Sequence, residues 1–220
     1  GAGVVVAFID TGVDIFHADF RHGDGTTRIK ALLDLSVPGD VDGDGTLDGA
    51  GPAGGTEWDE AAINAALLAG SFPSSDPTGH GTHGLSVAAG DDGLFPGVAP
   101  AADLVVVKAT REVDSLAFEA VDLVAALAWV EEQCAELGLP CVVNLSLGSD
   151  FASHDGRSLE EAAVDQMSGP GGAGRAVVVA AGNSANHQAS VTPPVQGLLR
   201  AGLAREPEVG SPAYPPHGGA

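Results

Sequence analysis

Basic side chains are scarce: 9 lysines and arginines stand against 30 aspartates and glutamates in 220 residues, a formal net charge of −21. A surface of that sign repels nucleic acid and anionic membranes, and it suits cationic substrates and salty or calcium-rich surroundings. Long apolar runs are also missing, none approaching the roughly 18 residues of a membrane span. No signal peptide is visible; the chain opens on Gly1-Ala2-Gly3 and enters an apolar run at once, which reads as a processed start. Cysteine is limited to Cys134 and Cys141, on either side of an expected helix end. They could bridge or remain as two buried thiols, so the redox compartment stays open. No Gly-rich phosphate loop follows the first apolar run, which argues against a nucleotide binder. There is no internal repeat.

What is present is enough for one large domain, with 44% hydrophobic residues spread along the chain. Val4 to Ile9 is a continuous, β-branched apolar run, as expected of a strand buried on both faces. Further strands are expected over Arg28–Leu35, Ala101–Ala109, Cys141–Leu147 and Ala176–Ala181. Helices are expected over Trp58–Leu68, from His80 through Ala89, over Ser115–Leu137 ending at Gly138 and Pro140, and over Leu159–Met167. Strands alternating with helices predict an α/β fold, three layers α/β/α around a mainly parallel sheet. Residues 1–186 read as this domain. Residues 187–220 are rich in Pro, Gly and Ala and read as an irregular tail or insertion.

Chemistry concentrates where strands end. Asp10, Ser146 and Asn183 all fall at carboxyl ends of expected strands, where α/β sheets place their sites. His80, in Gly79-His80-Gly81-Thr82-His83-Gly84, falls at a helix N-terminus, where the dipole favours a neutral imidazole. Gly81 and Gly84 are read as positions where other backbone comes close. A carboxylate, an imidazole and an amide so placed suit acyl transfer, though spacing alone leaves other chemistry open. His80 and His83 share a helix face as metal ligands would, yet no third ligand is evident. Asp40, Asp42, Asp44 and Asp48, with Gly45 at the turn, have the spacing of a calcium loop. Its closing Glu is absent, with Gly51 in that position, and a solvated acidic loop explains the run equally well.

Five segments in order carry a resemblance. Val6-Ala7-Phe8-Ile9-Asp10-Thr11-Gly12-Val13-Asp14 is similar to the aspartate motif of subtilisin-like serine peptidases (subtilases, peptidase family S8). Gly79 to Gly84 resembles their histidine motif, and Gly97-Val98-Ala99-Pro100 the segment after it. Asn144-Leu145-Ser146-Leu147-Gly148 resembles the strand lining their substrate cleft, and Val179-Ala180-Ala181-Gly182-Asn183 their oxyanion motif. The resemblance implies a subtilisin-like fold and a serine-type endopeptidase acting on peptides or proteins. Asp10 would orient the imidazole, His80 would be general base and then acid, and Asn183 the oxyanion donor, with His83 a structural neighbour. Ser146, Leu147, Gly148, Ala181 and Gly182 would form the walls that pair with the substrate. No cofactor is implied for the chemistry, structural calcium would be an addition, and export is the family's habit.

One departure matters. The family's nucleophile lies in Gly-Thr-Ser-x-Ala, and that motif is absent from the sequence. Ser211, in Val209-Gly210-Ser211-Pro212-Ala213, is the nearest look-alike, and a proline directly after it suits a nucleophile poorly. The expectation is an amino-terminal part of the catalytic domain, inactive by itself; a non-catalytic peptide-binding relative is the alternative. Aspartic peptidases also carry Asp-Thr-Gly, but they need two copies and a different strand pattern.

Overall fold

A computed structural model describes residues 1–39, 54–111, 118–148 and 155–182. Five parallel strands form the sheet's body: β1 (Val5–Asp10), β2 (Ile29–Asp34), β4 (Asp103–Lys108), β5 (Cys141–Leu145) and β6 (Arg175–Val179). With β3 (Thr56–Asp59) the order is β3-β2-β4-β1-β5-β6, and only β3 runs antiparallel. β1 is therefore interior, flanked by β4 and β5, and every one of its six residues is buried. Helices α1 (Glu60–Ala69), α2 (His80–Ala89), α3 (Ala120–Leu137) and α4 (Leu159–Ser168) complete the described elements.

Successive side chains of a strand face opposite ways, so a doubly buried strand feeds two cores. Val5, Ala7 and Ile9 join one core with Ala126, Val130 and Cys134 of α3 and Val164 and Met167 of α4. Val6 and Phe8 join the other with Ile63 of α1 and Leu85 and Ala89 of α2. The three-layer α/β/α architecture follows directly.

Local differences from the expected elements have local causes. Trp58 belongs to the edge strand β3, packing edge-on against Phe72 at 4.9 Å. Asp59 caps the next helix, its carboxylate accepting from the Ala62 N–H at 2.7 Å, so α1 starts at Glu60. Helix α3 begins at Ala120, because Phe118 and Glu119 are not helical, and it ends at Gly138 as expected. Around α4, Ser158 and Glu161 form a reciprocal capping box. Cys134 and Cys141 are two buried, unbridged thiols. A hydrogen bond with Cys134, reinforced by burial, pushes the Cys141 thiol up. Among the described residues no helix is long and apolar enough to cross a membrane.

Arg28 was expected to open a strand; it instead precedes β2 as a buried crosslink, 3% exposed. Its guanidinium donates to the carbonyls of Asp19 (2.6 Å), Ala89 (2.6 Å) and Ala102 (3.1 Å). Burial pushes its pKa down against the raising influence of Asp91, Asp19 and Asp103. Arg28→Met keeps the aliphatic bulk but strips these carbonyls of a donor, at about 1–3 kcal/mol for each one left unsatisfied. We expect urea denaturation to read a loss of about 3 kcal/mol, and a variant within about 1 kcal/mol of the parent would contradict this role.

Candidate active site

The carboxyl end of β1 meets the amino end of α2. Asp10, the last residue of β1, is 0% exposed, and its Oδ1 accepts from the Thr11 N–H at 2.7 Å. The same oxygen lies 2.6 Å from Nδ1 of His80, the first residue of α2. A carboxylate oxygen only accepts, so Nδ1 carries the proton of this bond and Nε2 of a neutral ring is left as the acceptor. The His80 side chain is 49% exposed against a fully buried partner, so one end is held by protein and the rest of the ring is accessible. Asp10 Oδ2 is buried with no hydrogen-bond partner among the described residues. Chemically this is an imidazole fixed in one tautomer and free to take a proton at its other nitrogen.

Gly81 makes the junction possible. A Cβ there would press into the Gly12 carbonyl oxygen and stand 3.2 Å from Cβ of Asp10, so backbone lies on backbone, as the sequence suggested. Gly84 differs from that expectation. A Cβ at Gly84 would meet the Phe8 ring at 2.6 Å, so this glycine makes room for an aromatic side chain, not for backbone.

Helix α2 has no side-chain cap at Gly79, its N-cap residue. Asp76 does the capping from outside. Its Oδ2 accepts from the Thr82 N–H (2.8 Å) and hydroxyl (2.7 Å), and its Oδ1 from the Gly79 N–H at 3.1 Å. Oδ1 also accepts from the hydroxyls of Thr11 (2.7 Å) and Thr78 (3.0 Å). Burial alone would raise the Asp76 carboxyl, but these hydrogen bonds outweigh it and hold it below the usual carboxylate range. Sequence reading passed over this residue as part of a loop. The available signal was an Asp just ahead of a helix whose N-cap is Gly.

An open cleft of about 360 Å³ adjoins this junction, lined by Asp14, His17, Asp76, Gly79, Thr82, His83 and Ser86. No group of three His, Cys, Asp or Glu among the described residues could hold a metal ion. Asp19, though near this cleft, is already occupied by the Ser86 hydroxyl.

The remaining candidates lie further along the same sheet edge. Ser146, Leu147 and Gly148 follow β5, with Ser146 Oγ accepting from Asn144 Nδ2 at 2.8 Å. Ala181 and Gly182 follow β6 and are exposed. The two exits stay paired, since the Ala180 N–H donates to the Leu145 carbonyl at 3.0 Å. Parallel pairing of β1, β5 and β6 puts both exits at the edge where Asp10 ends its strand. Asn183, Ser211 and the acidic run Asp40, Asp42, Asp44 and Asp48 lie outside the described residues.

Comparison with known proteins gives one consistent answer. The model of the subtilase family (peptidase S8) matches residues 1–198. A subtilisin of Bacillus sp. (strain TA39) is 29% identical over 194 residues, covering 87% of this chain and 36% of that protein. The subtilisin-like protease SBT2.2 of Arabidopsis thaliana is 30% identical over 169 residues, covering 67% of this chain and 18% of its own length. Among solved structures, the Clostridium perfringens CspB protease superposes with a TM-score of 0.72 at 31% identity, covering 84% of this chain and 37% of that one. Sphericase superposes with a TM-score of 0.56 at 26% identity, covering 88% and 50%. The chain thus spans well under two thirds of the relatives it matches.

Proposed function

Because the chain belongs to the subtilase family, we propose that it carries the aspartate and histidine of a serine-type endopeptidase, with Asp10 as orienting carboxylate and His80 as proton carrier. The 2.6 Å contact between His80 Nδ1 and the buried Asp10 Oδ1 is the observation that supports this reading most. In the cycle, Asp10 holds the imidazole with Nε2 as the free acceptor. Nε2 takes the proton of a serine hydroxyl as that oxygen attacks the substrate carbonyl. Asp10 stabilises the resulting imidazolium, which then protonates the leaving amine. The Asn183 side-chain amide would donate to the oxyanion of the tetrahedral intermediate. Ser146 to Gly148, Ala181 and Gly182 would flank an extended peptide. Backbone ends left at a sheet edge suit strand-like pairing with such a ligand. This chemistry requires no cofactor.

Substrates are peptides or proteins, and the net charge of −21 favours basic ones over nucleic acid or anionic membranes. Export follows the habit of the family. The nucleophile belongs in a Gly-Thr-Ser-x-Ala segment, which these 220 residues do not contain. Reading the gene past the codon for Ala220 is the direct check. An in-frame Gly-Thr-Ser-x-Ala segment is the expected result. A stop codon with no such segment would overturn the catalytic reading in favour of a non-catalytic relative that binds peptides in the same cleft.

A further inference from the structure

We propose that Ser74-Ser75-Asp76 is a positioning strap for His80, with Asp76 and Thr11 as the residues that keep the imidazole on Asp10. This rests on the reading of Asp10 and His80 as the proton-transfer pair and adds residues that hold the pair together.

The strap is anchored at three consecutive residues to three adjacent strands. Ser74 Oγ donates to Asp34 Oδ2 at 2.5 Å, at the end of β2. The Ser75 carbonyl accepts from Lys108 Nζ at 2.8 Å, at the end of β4. Asp76 Oδ1 accepts from Thr11 Oγ1 at 2.7 Å, one residue beyond β1. These strands lie in the order β2-β4-β1, and Asp34, Lys108 and Asp10 are register partners across them. The strap therefore crosses the sheet edge along one row of the ladder. Ser74 and Asp34 are buried, so the first anchor is shielded from competing water, and Lys108, 3% exposed, reaches the second from inside although Ser75 itself is exposed. Gly12 lets the strap pass: its φ is +120°, and a Cβ there would stand 2.9 Å from the Ser75 carbonyl oxygen.

Four residues beyond Asp76 the chain reaches His80. A half-exposed imidazole held by one hydrogen bond has rotamers to escape into, so the bond persists only if its backbone is fixed against β1. Thr11 makes that connection. Its N–H donates to Asp10 Oδ1, its hydroxyl donates to Asp76, and the same hydroxyl oxygen accepts from the Gly81 N–H at 3.0 Å. One residue thus joins the carboxylate, the strap and the first turn of α2.

The test is a spectroscopic one that needs no nucleophile: proton NMR of the strongly deshielded Nδ1–H of His80 in its bond to Asp10. The parent chain is expected to show this resonance. Asp76→Ala and Thr11→Val are expected to lose it, and Thr11→Ser, which restores the hydroxyl, to keep it. Ser158→Ala removes a helix cap at α4, whose buried residues lie in the core opposite that of α2, and is expected to keep the resonance while lowering the unfolding midpoint. Persistence of the signal in both Asp76→Ala and Thr11→Val, or its equal loss in Ser158→Ala, would overturn the strap alone. Absence of the signal from the parent chain would overturn the Asp10–His80 pair and the strap with it. Should Asp76→Ala fail to fold, Thr11→Val removes only one hydroxyl and carries the same decision.

Discussion

On the proposed reading, replacing His80 by alanine is expected to lower kcat for peptide hydrolysis, in the protein as its gene encodes it, by about 2 × 10⁶-fold. Asp10→Asn is expected to cost less, about 10⁴-fold. The first magnitude is carried over from subtilisin and the second from the same change in a trypsin-type triad. Their order has a physical reason in this site. Without the imidazole nothing takes the serine proton. With Asn at position 10 the ring remains, but an amide N–H can now face Nδ1 and favour the tautomer in which Nε2 carries the proton. The buried Asp10, with its Oδ1 2.6 Å from Nδ1, is the only group placed to prevent that among the described residues. Steady-state kinetics on a short peptide check the claim. A His80→Ala enzyme retaining kcat within about ten-fold of the parent would refute it, because triad members act as a unit.

The second large effect is on stability and runs against helix propensity. Gly to Ala inside a helix ordinarily stabilises by about 1 kcal/mol. At Gly81 the new methyl would enter the Gly12 carbonyl oxygen, with the Gly12 nitrogen at 3.1 Å and Asp10 Cβ at 3.2 Å. The Gly12 backbone cannot rotate away as a side chain would, and a Cβ is fixed to its own backbone, so overpacking wins, at about 3 kcal/mol. Thermal unfolding of Gly81→Ala should begin lower, with a midpoint down by roughly 10 °C for a chain of this size. A midpoint at or above the parent's would mean that α2 does not sit this close to β1. The neighbouring Gly84→Ala is a milder case, since the Phe8 ring that it meets is a side chain.

How much of this was legible beforehand divides along local and non-local lines. The interior strands announced themselves as β-branched apolar runs, because a strand buried on both faces has no polar alternation to hide it. Helix α2 began at His80 as its motif implied. The antiparallel β3 was invisible: Thr56-Glu57-Trp58-Asp59 is short, polar at three of its four residues and settled only by pairing with β2. Arg28 looked like an ordinary charged strand opening. Its burial depends on three carbonyls, from residues 19, 89 and 102, that only the fold assembles. Asp76 was passed over for the same reason, as one of its partners, Thr11, lies 65 residues away. The juxtaposition of Asp10 and His80, 70 residues apart, was reachable from sequence only through resemblance.

Covalent trapping tests the central claim most directly. A fluorophosphonate reacts with a serine whose hydroxyl has a working base beside it, and peptide mass spectrometry then locates the modified residue. The protein as its gene encodes it should be labelled at one serine within a Gly-Thr-Ser-x-Ala segment, and His80→Ala should abolish the label. Labelling at Ser211, labelling that survives His80→Ala, or no labelling at all would contradict an Asp10–His80 pair working as the base of a serine peptidase.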